Sequence, residues 1–380
     1  MKYTIINILM SLFLCVYGGI YNDTEHEWKF PIQYKIWKQV NSTFIIEALN
    51  LISNNTCLNF TRNDNLTSQE PGIIFGSRQS GCSLNTIGPK ENNHSVAIYL
   101  GLECRYNKVF IASLILQALG VFPEHTRQDR NKYVDIKYGN IKDGTDLTFF
   151  NISDPKVTSD FDTNYDYGSS VQYYSKSYTK DGSDTILAVG NYSKYYQLML
   201  GQKNVVTLND YKLVSRRYCN KTCDESERPR CAHGGYKNPR DCSKCVCPYP
   251  YKGDICTEKI ESLEKQAKCH PIQTAVSTKG NTYQYNGKGI CVDTFIASEG
   301  KKVQLKILEQ NMTPQTPCAR NSSMVEVKYK KEDERDVMGL CFCGNRSEPV
   351  TITSEGTDVI LIYNGGRNDD SLKVELKAID

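Results

Sequence analysis

The chain has 380 residues, of which 39% are hydrophobic and 23% charged, and its formal net charge is +3. This length exceeds what one hydrophobic core usually serves and predicts two or three domains. Binding to nucleic acid or to an acidic membrane surface needs a concentrated basic surface, which this balance of charge does not indicate. We therefore expect no nucleic-acid partner.

The start of the chain has the pattern of an export signal. Lys2 precedes a mostly apolar run from Ile5 to Tyr17, and the small residues Gly18 and Gly19 follow. The pattern predicts a signal peptide over 1–19, with a signal anchor as the alternative, and a short remnant segment over 20–27 without a real propeptide. No later stretch approaches 18 apolar residues, so we expect no membrane span. These features predict a secreted, extracellular protein.

Cysteines and glycosylation sequons support the same compartment. The chain has 16 cysteines, and removal of Cys15 with the signal leaves an odd number in an oxidising environment. Asn-x-Ser/Thr triplets predict a glycoprotein modified at Asn41, Asn54, Asn59, Asn65, Asn93, Asn151, Asn191, Asn220, Asn311, Asn321 and Asn345.

The first domain is predicted over 28–219. Helical spacing of apolar residues predicts a helix over Thr43–Ser53, and Gly72–Phe75 and Ser95–Leu100 have the pattern of strands. The segment Lys108–Leu119 is apolar almost all round, which is typical of a buried helix. Its polar exceptions, Ser113 and Gln117, stand four residues apart and therefore project from one face.

Two further modules and a connection are predicted after residue 219. The segment 220–257 is too rich in cysteine to build a core and must be held by its disulfides. The charged segment 258–268 indicates a linker or a short helix. From 269 to 380, short alternating strands between turns, such as Val303–Ile307 and Val359–Tyr363, predict an antiparallel sandwich.

The segment Ser113–Val134 resembles the active-site region of the astacin metalloproteases. In that family a helix carries His-Glu-x-x-His, a glycine follows, and a third histidine completes a zinc site, with the glutamate as general base. In this chain Ser113, Leu114, Gln117 and Pro123 stand at the positions of the first ligand, the base, the second ligand and the third ligand. Gly120 and Glu124 are retained.

A second stretch, Tyr165–Ser175, resembles the turn that carries a methionine under the zinc in this family. Gln172 replaces that methionine, and Tyr174 matches the tyrosine that in the family moves between metal and transition state. The resemblance therefore implies a protease frame whose zinc ligands are replaced, and we expect no zinc, no other cofactor and no functioning catalytic residue.

The resemblance covers nearly the whole mature chain. It implies an α+β fold: an astacin-like, metzincin-like two-lobed domain, then a small disulfide-rich EGF-like module and an all-β CUB-like sandwich. It implies the disulfides Cys57–Cys219, Cys82–Cys104, Cys223–Cys242, Cys231–Cys245, Cys247–Cys256, Cys269–Cys291 and Cys318–Cys343. In the last pair Cys341 is the alternative to Cys343, and one of the two is the unpaired thiol.

Three functions remain open on the sequence. The first is a non-catalytic binding or regulatory glycoprotein, a pseudoenzyme that acts on an extracellular peptide or protein. The second is a zinc metalloendopeptidase with a non-standard site, as the fold alone suggests. The third is a structural glycoprotein with an inert cleft. The replaced ligands favour the first and predict that the chain is not an enzyme.

Overall fold

The computed structural model describes residues 19–89, 94–224 and 228–380, so the predicted signal peptide, except Gly19, and the sequon at Asn93 lie outside the described residues. Within this part of the chain no helix is long and apolar enough to cross a membrane.

The amino-terminal lobe of the first domain is a five-stranded sheet covered by two helices. The sheet has the order β3-β2-β4-β6-β5, in which only β5 runs antiparallel to its neighbour. The strands and helices of this half are β1 (Ile20–Tyr21), β2 (Ile32–Ile36), α1 (Ser42–Asn55), β3 (Phe60–Arg62), β4 (Ile73–Ser77), β5 (Cys82–Leu84), β6 (Val96–Leu100) and α2 (Lys108–Ala118).

Each of the two helices is capped by the asparagine that precedes its first residue. The Asn41 Oδ1 accepts a hydrogen bond from the Thr43 amide, and the Asn107 Oδ1 accepts from the amides of Val109 and Phe110. Such caps satisfy amides that have no partner inside the helix. The α2 helix is buried on almost every side, as its sequence predicts. It ends at Ala118, and the chain turns away at Gly120, whose φ of +98° suits glycine.

The carboxy-terminal lobe has little regular structure. It contains β7 (Val134–Ile136), β8 (Thr158–Ser159), β9 (Ile186–Ala188), α3 (Ser193–Tyr196) and α4 (Leu208–Tyr218), with short 3-10 turns at Glu124–Thr126, Arg130–Lys132, Tyr138–Asn140 and Leu147–Phe150. The expected remnant segment 20–27 contributes to this domain, because β1 pairs with β8 and Ile20 is fully buried.

The small second module consists of two strand pairs, formed by β10 (Tyr236–Asn238), β11 (Asp241–Val246), β12 (Tyr251–Lys252) and β13 (Glu258–Lys259). The expected linker or helix over 258–268 is instead two short strands. The first, β13, pairs with β12, whereas β14 (Leu263–Glu264) pairs with β17 (Gly289–Ile296) of the next domain. Pairing on both sides ties this segment to both neighbours.

The third domain is a sandwich of two β-sheets, which are antiparallel except for one short parallel strand, β15 (Gln273–Ala275). One sheet has the order β14-β17-β22-β19-β20, with β15 added beside β17, and the other has the order β16-β23-β18-β21. The remaining strands are β15 (Gln273–Ala275), β16 (Asn281–Asn286), β17 (Gly289–Ile296), β18 (Lys302–Asn311), β19 (Met324–Lys328), β20 (Leu340–Phe342), β21 (Val350–Thr353), β22 (Asp358–Gly365) and β23 (Ser371–Ile379), with a 3-10 turn at Glu332–Glu334.

Seven disulfides join the described cysteines. They are Cys57–Cys219, Cys82–Cys104, Cys223–Cys242, Cys231–Cys245, Cys247–Cys256, Cys269–Cys291 and Cys318–Cys343. Cys341 is the free cysteine of the described residues, and only 1% of it is exposed.

The three domains pack against one another. One hydrophobic core joins the carboxy-terminal lobe, through residues such as Tyr196 and Met199, to Leu340 and Phe342 of the sandwich. The Lys212 Nζ donates to the Gly234 carbonyl of the second module at 2.9 Å and to Asp336 Oδ2 of the third at 3.0 Å. One buried ammonium group therefore contacts both of the other domains.

Candidate functional site

A cleft of about 470 Å³ lies between the two lobes of the first domain. Its walls come from β5 and the residues after it, from α2, from the segment after Val171 and from Lys203. Five residues singled out in the sequence line it: Ser113, Leu114, Gln117, Gln172 and Tyr174. The cleft is open, and Pro123 is not part of its lining.

The α2 wall presents two polar side chains that are bound to their own helix. The Ser113 Oγ donates to the Phe110 carbonyl at 2.7 Å, and the Gln117 Nε2 donates to the Ser113 carbonyl at 3.2 Å. Both residues are almost fully buried, with 1% and 6% exposed. They form a polar lining without contacting each other's side chains.

The floor of the cleft is a turn held from behind by a carboxylate. Asp210 accepts a hydrogen bond from the Ser169 hydroxyl at 2.6 Å and from the Ser170 amide at 2.9 Å. Gln172, which is fully buried, accepts from the Tyr165 hydroxyl at 3.1 Å and donates to the Tyr173 carbonyl at 3.1 Å. These bonds fix the turn over Ser169–Gln172, and Tyr174 follows two residues later.

Lys203 is the one charged residue in the lining of this cleft among the described residues. Its Nζ donates to the carbonyls of Ser170 and Gln172 and lies 5.6 Å from the ring centroids of Phe110 and Tyr174. Burial lowers the pKa of Lys203 from 10.5 to about 7, so its charge changes near neutral pH. Sequence reasoning missed this residue, because the local sequence does not show that Lys203 is buried against the cleft.

Exposed aromatic rings also line the cleft. Phe149 and Tyr178 stack with centroids 5.2 Å apart, and 40% and 44% of their surfaces are exposed. Tyr174, also 40% exposed, packs against Gly201, where a Cβ would lie 2.5 Å from the Tyr174 Cα. The chain can pass this closely because position 201 is a glycine with φ of +84°.

Strand β5 also borders the cleft, through all three of its residues. It pairs with β6 through one edge only and is the last strand of its sheet. The disulfide Cys82–Cys104 anchors its first residue to the segment before α2. The outer edge therefore offers backbone amide and carbonyl groups to the cleft.

Glu124 and its neighbour are buried beside the cleft and support it. Glu124 Oε1 accepts from the Asp166 amide at 2.9 Å, and burial raises the pKa of this carboxyl to about 8 against the opposing charge of Arg127. Burial lowers the pKa of His125 to about 3, and its Nε2 lies 3.0 Å from the Phe149 carbonyl. His125 therefore helps to position the segment that carries an aromatic ring of the cleft.

The residues at the ligand positions do not fit a zinc ion. Catalytic zinc is normally held by three donors from Cys, His, Asp or Glu. Here the Ser113 hydroxyl and the Gln117 amide group donate to carbonyls of their own helix, and the proline at 123 has no donor. Within 19–89, 94–224 and 228–380 no group of three or more His, Cys, Asp or Glu residues could hold a metal ion.

A sequence profile of the astacin peptidase family matches residues 20–219, which is more than half of the chain. The chain belongs to the astacin family. The resemblance to the astacin family and the expected fold class are thereby confirmed.

Curated relatives extend the match beyond this domain. The zinc metalloproteinase dpy-31 of Teladorsagia circumcincta and that of Haemonchus contortus are each 29% identical over 344 residues, which cover 88% of this chain and 54% and 61% of the relatives. The zinc metalloproteinase nas-37 of Caenorhabditis elegans is 30% identical over 342 residues, 87% of this chain and 40% of the relative. The chain thus spans about half the length of these relatives.

Solved structures give weaker likenesses. The hatching enzyme HCE-1 of Oryzias latipes, a zinc protease, is 25% identical, with a TM-score of 0.40, over 48% of this chain and 86% of that one. The CUB1-EGF-CUB2 domains of rat MASP-1 are 14% identical, with a TM-score of 0.24, over 28% of this chain and 43% of that one. Scores this low add nothing to the assignment made from sequence.

The comparisons correct one prediction. The expectation that this chain is not an enzyme is wrong, because the named relatives that match most of it are zinc metalloproteinases. The site still differs from the family's zinc site at Ser113, Leu114, Gln117 and Pro123. No catalytic step is assigned to a metal that these residues do not fit.

Proposed function

We propose that the astacin-like domain takes an extended segment of an extracellular peptide or protein into the cleft between its lobes. The observation that carries this proposal is an open cleft of about 470 Å³ whose one side is the outer edge of a β-strand. A polypeptide is the ligand that can pair its own backbone with such an edge.

Two features of the cleft lining would select different parts of that segment. The exposed rings of Phe149, Tyr174 and Tyr178 favour an apolar or aromatic side chain, because these rings lose contact with water when it binds. The Lys203 ammonium favours a carbonyl or carboxylate oxygen. A peptide with an aromatic residue beside an acidic one combines both features.

Hydrolysis of the bound segment is the second candidate function. It is favoured by the membership of a peptidase family and by the names of the relatives, which are zinc metalloproteinases. Metal-dependent hydrolysis would need donors other than Ser113, Gln117 and Pro123, because these residues do not fit zinc.

Fluorescence anisotropy with labelled peptides tests the first candidate. We expect the full secreted chain to bind extended peptides that carry aromatic and acidic residues, and we expect Tyr178→Ala to weaken binding. Tyr106→Ala is the matched control, because Tyr106 is 59% exposed and lies outside the cleft lining. Equal losses in both variants, or no binding by the unmodified chain, would contradict the proposal.

Mass spectrometry of the same peptides tests the second candidate. Incubation is carried out with the protein as purified, with added zinc and with a chelator. Cleavage that the chelator abolishes would support metal-dependent hydrolysis and would require ligands other than those at positions 113, 117 and 123. Binding without product under all three conditions would leave recognition as the function and remove hydrolysis.

Secretion and glycosylation complete the proposal. Seven disulfides are typical of an exported protein. Nine of the ten sequons within the described residues have an exposed asparagine; the exception is Asn311, whose amide donates to the Asp369 carbonyl at 2.8 Å. We expect Asn311 to be the poorest acceptor of sugar among these ten.

A further inference from the structure

A second groove lies on the first domain, at the end of β2. It encloses about 610 Å³, and its lining comes from three short segments, residues 35–40, Ser42 and the pair Arg62 and Asp64. Trp37 contributes an indole ring that is 42% exposed. Its surroundings combine an aromatic surface with polar and basic side chains.

The Trp37 ring is held in place on its inner side. A Cβ at position 76 would lie 3.2 Å from the Trp37 Cε3, so the glycine there allows the ring to lie on the backbone. The ring also contacts Tyr99 edge to face, with centroids 6.3 Å apart. The outer part of a fixed ring is thus left open to the groove, which lowers the entropy cost of binding against it.

The sequon Asn41-Ser42-Thr43 stands at the rim of this groove, since Val40 and Ser42 both line it. Asn41 is exposed, and its Oδ1 caps α1 by accepting from the Thr43 amide at 2.9 Å. Its Nδ2, the atom that carries an N-linked sugar, donates no hydrogen bond to any described residue. Glycosylation can therefore take place without loss of the helix cap.

We propose that the groove formed by residues 35–40, Ser42, Arg62 and Asp64 is a binding site for the chain's own carbohydrate, an N-linked glycan on Asn41. The sugar nearest to Asn41 lies along the groove with its apolar C–H face on the Trp37 ring, and Lys38 and Arg62 donate hydrogen bonds to its oxygens. A groove of about 610 Å³ is large enough for the first sugars of such a chain.

The modification itself balances as ordinary N-glycosylation. The Asn41 Nδ2 attacks the anomeric carbon of an oligosaccharide carried on a lipid pyrophosphate, the N–C bond forms, and the bond from that carbon to the pyrophosphate oxygen breaks. One amide proton is lost and the lipid pyrophosphate leaves. The proposal rests on export of the chain and does not depend on what the cleft binds.

Tryptophan fluorescence of the protein secreted from eukaryotic cells tests the proposal directly. The chain has two tryptophans, and Trp28 is only 3% exposed, so acrylamide quenching reports mainly on Trp37. Thr43→Ala abolishes the sequon but keeps the Asn41 cap, and Thr43→Ser keeps both. We expect a roughly two-fold higher quenching constant for Thr43→Ala than for Thr43→Ser, because the uncovered indole returns to solvent.

Endoglycosidase digestion of the native protein, followed site by site with mass spectrometry, gives an independent readout. We expect the glycan on Asn41 to be released several-fold more slowly than that on Asn345, which lies in an exposed position. Trp37→Leu should remove that protection at Asn41 and leave release at Asn345 unchanged. An unmodified Asn41, equal quenching of the two Thr43 variants, or equal release at both sites would overturn the proposal.

Discussion

At the scale of single residues, the cleft owes its charge to Lys203. Its charge is held by two backbone carbonyls and by the faces of two rings, and no carboxylate lines the same cleft in the described part of the chain. An ammonium group in this setting is stabilised only partly, which is why burial dominates its pKa. A bound carboxylate would supply the missing counter-charge.

Binding of an acidic peptide should therefore depend on pH. Because the pKa of Lys203 is about 7, the charged form prevails below this pH, and affinity should fall up to about tenfold for each pH unit above it. Lys203→Arg should keep its affinity at pH values above 7, since arginine stays charged. Anisotropy titrations from acidic to mildly alkaline pH measure this, and an unchanged slope in Lys203→Arg would contradict the role given to Lys203.

Glu124 should make the protein less stable as the pH rises. A carboxylate whose pKa is lowered by a salt bridge has the opposite effect. The pKa of Glu124 is raised from 4.5 to about 8, so over this range the folded state holds a proton that the unfolded state has released. The free energy of unfolding therefore falls as pH rises through this window. Asp166, whose pKa burial raises to about 7, acts in the same direction.

Thermal unfolding of Glu124→Gln across this pH range tests that expectation. We expect a smaller fall of the melting temperature with pH than in the unmodified protein, with the remainder due to Asp166. Glu25→Gln, at an exposed glutamate, is the control and should leave the slope unchanged. The expectation fails if Glu124→Gln has the same pH dependence as the unmodified protein.

At the scale of elements, α2 links the two lobes through its first turn. Asn107 caps the helix with its Oδ1 and donates from its Nδ2 to the Lys203 carbonyl at 3.1 Å. The buried helix is thus connected at its amino terminus to the segment that supplies the charge of the cleft. The two functions of this one side chain can be separated by substitution.

Asn107→Ala should destabilise the protein by about 1–2 kcal/mol, because two amides at the start of a helix lose their acceptor. Asn107→Asp keeps the acceptor and loses only the bond to Lys203, so it should cost less. Urea unfolding measures both free energies. If the two variants are equally unstable, the helix cap is not the main contribution of Asn107.

The sequence predicted elements well where periodicity and burial agree. The almost uniformly apolar α2 and the alternating strands β18 and β22 were all indicated. It did not predict the strands in 258–268, because β13 and β14 are two residues each and exist only through pairing with other parts of the chain. Lys203 was missed because its importance depends on its burial, which no local sequence pattern shows.

The sequence predicted where the site lies, but not all of the residues that form it. The resemblance located Ser113, Gln117, Gln172 and Tyr174, and all of them line the cleft. It could not show the exposed rings of Phe149 and Tyr178, which come from irregular segments without periodicity. The prediction of lost enzymatic activity came from the ligand positions alone and is corrected by the relatives.

At the scale of the whole molecule, Lys212 and Asp336 connect the three domains. Their side chains are 5% and 1% exposed, and Asp336 Oδ1 also accepts from the Asn164 amide group at 3.0 Å. Asp166 comes just before the floor of the cleft in the sequence. Its Oδ1 accepts a hydrogen bond from the Met338 amide at 3.3 Å. The sandwich thus supports the floor of the cleft from behind.

Lys212→Met should destabilise the full chain by roughly 3–5 kcal/mol, because it leaves a buried carboxylate without its counter-charge. We expect the calorimetric transition to become broader or to split, since the removed group joins the domains. Lys137→Met is the control: Lys137 and Asp135 form an ion pair that is 43% and 52% exposed, and its loss should cost less than about 1 kcal/mol. A single unshifted transition in Lys212→Met would contradict the coupling.

The unpaired thiol of Cys341 has a consequence for handling the protein. Burial raises the pKa of this thiol well above its ordinary value, and its strand lies within the sandwich. The folded chain should therefore resist maleimides and should not cross-link through Cys341 under oxidising conditions. The rate of slow labelling by such a reagent would then report how often β20 leaves its sheet. Cys341 thus becomes a probe for local opening of the third domain.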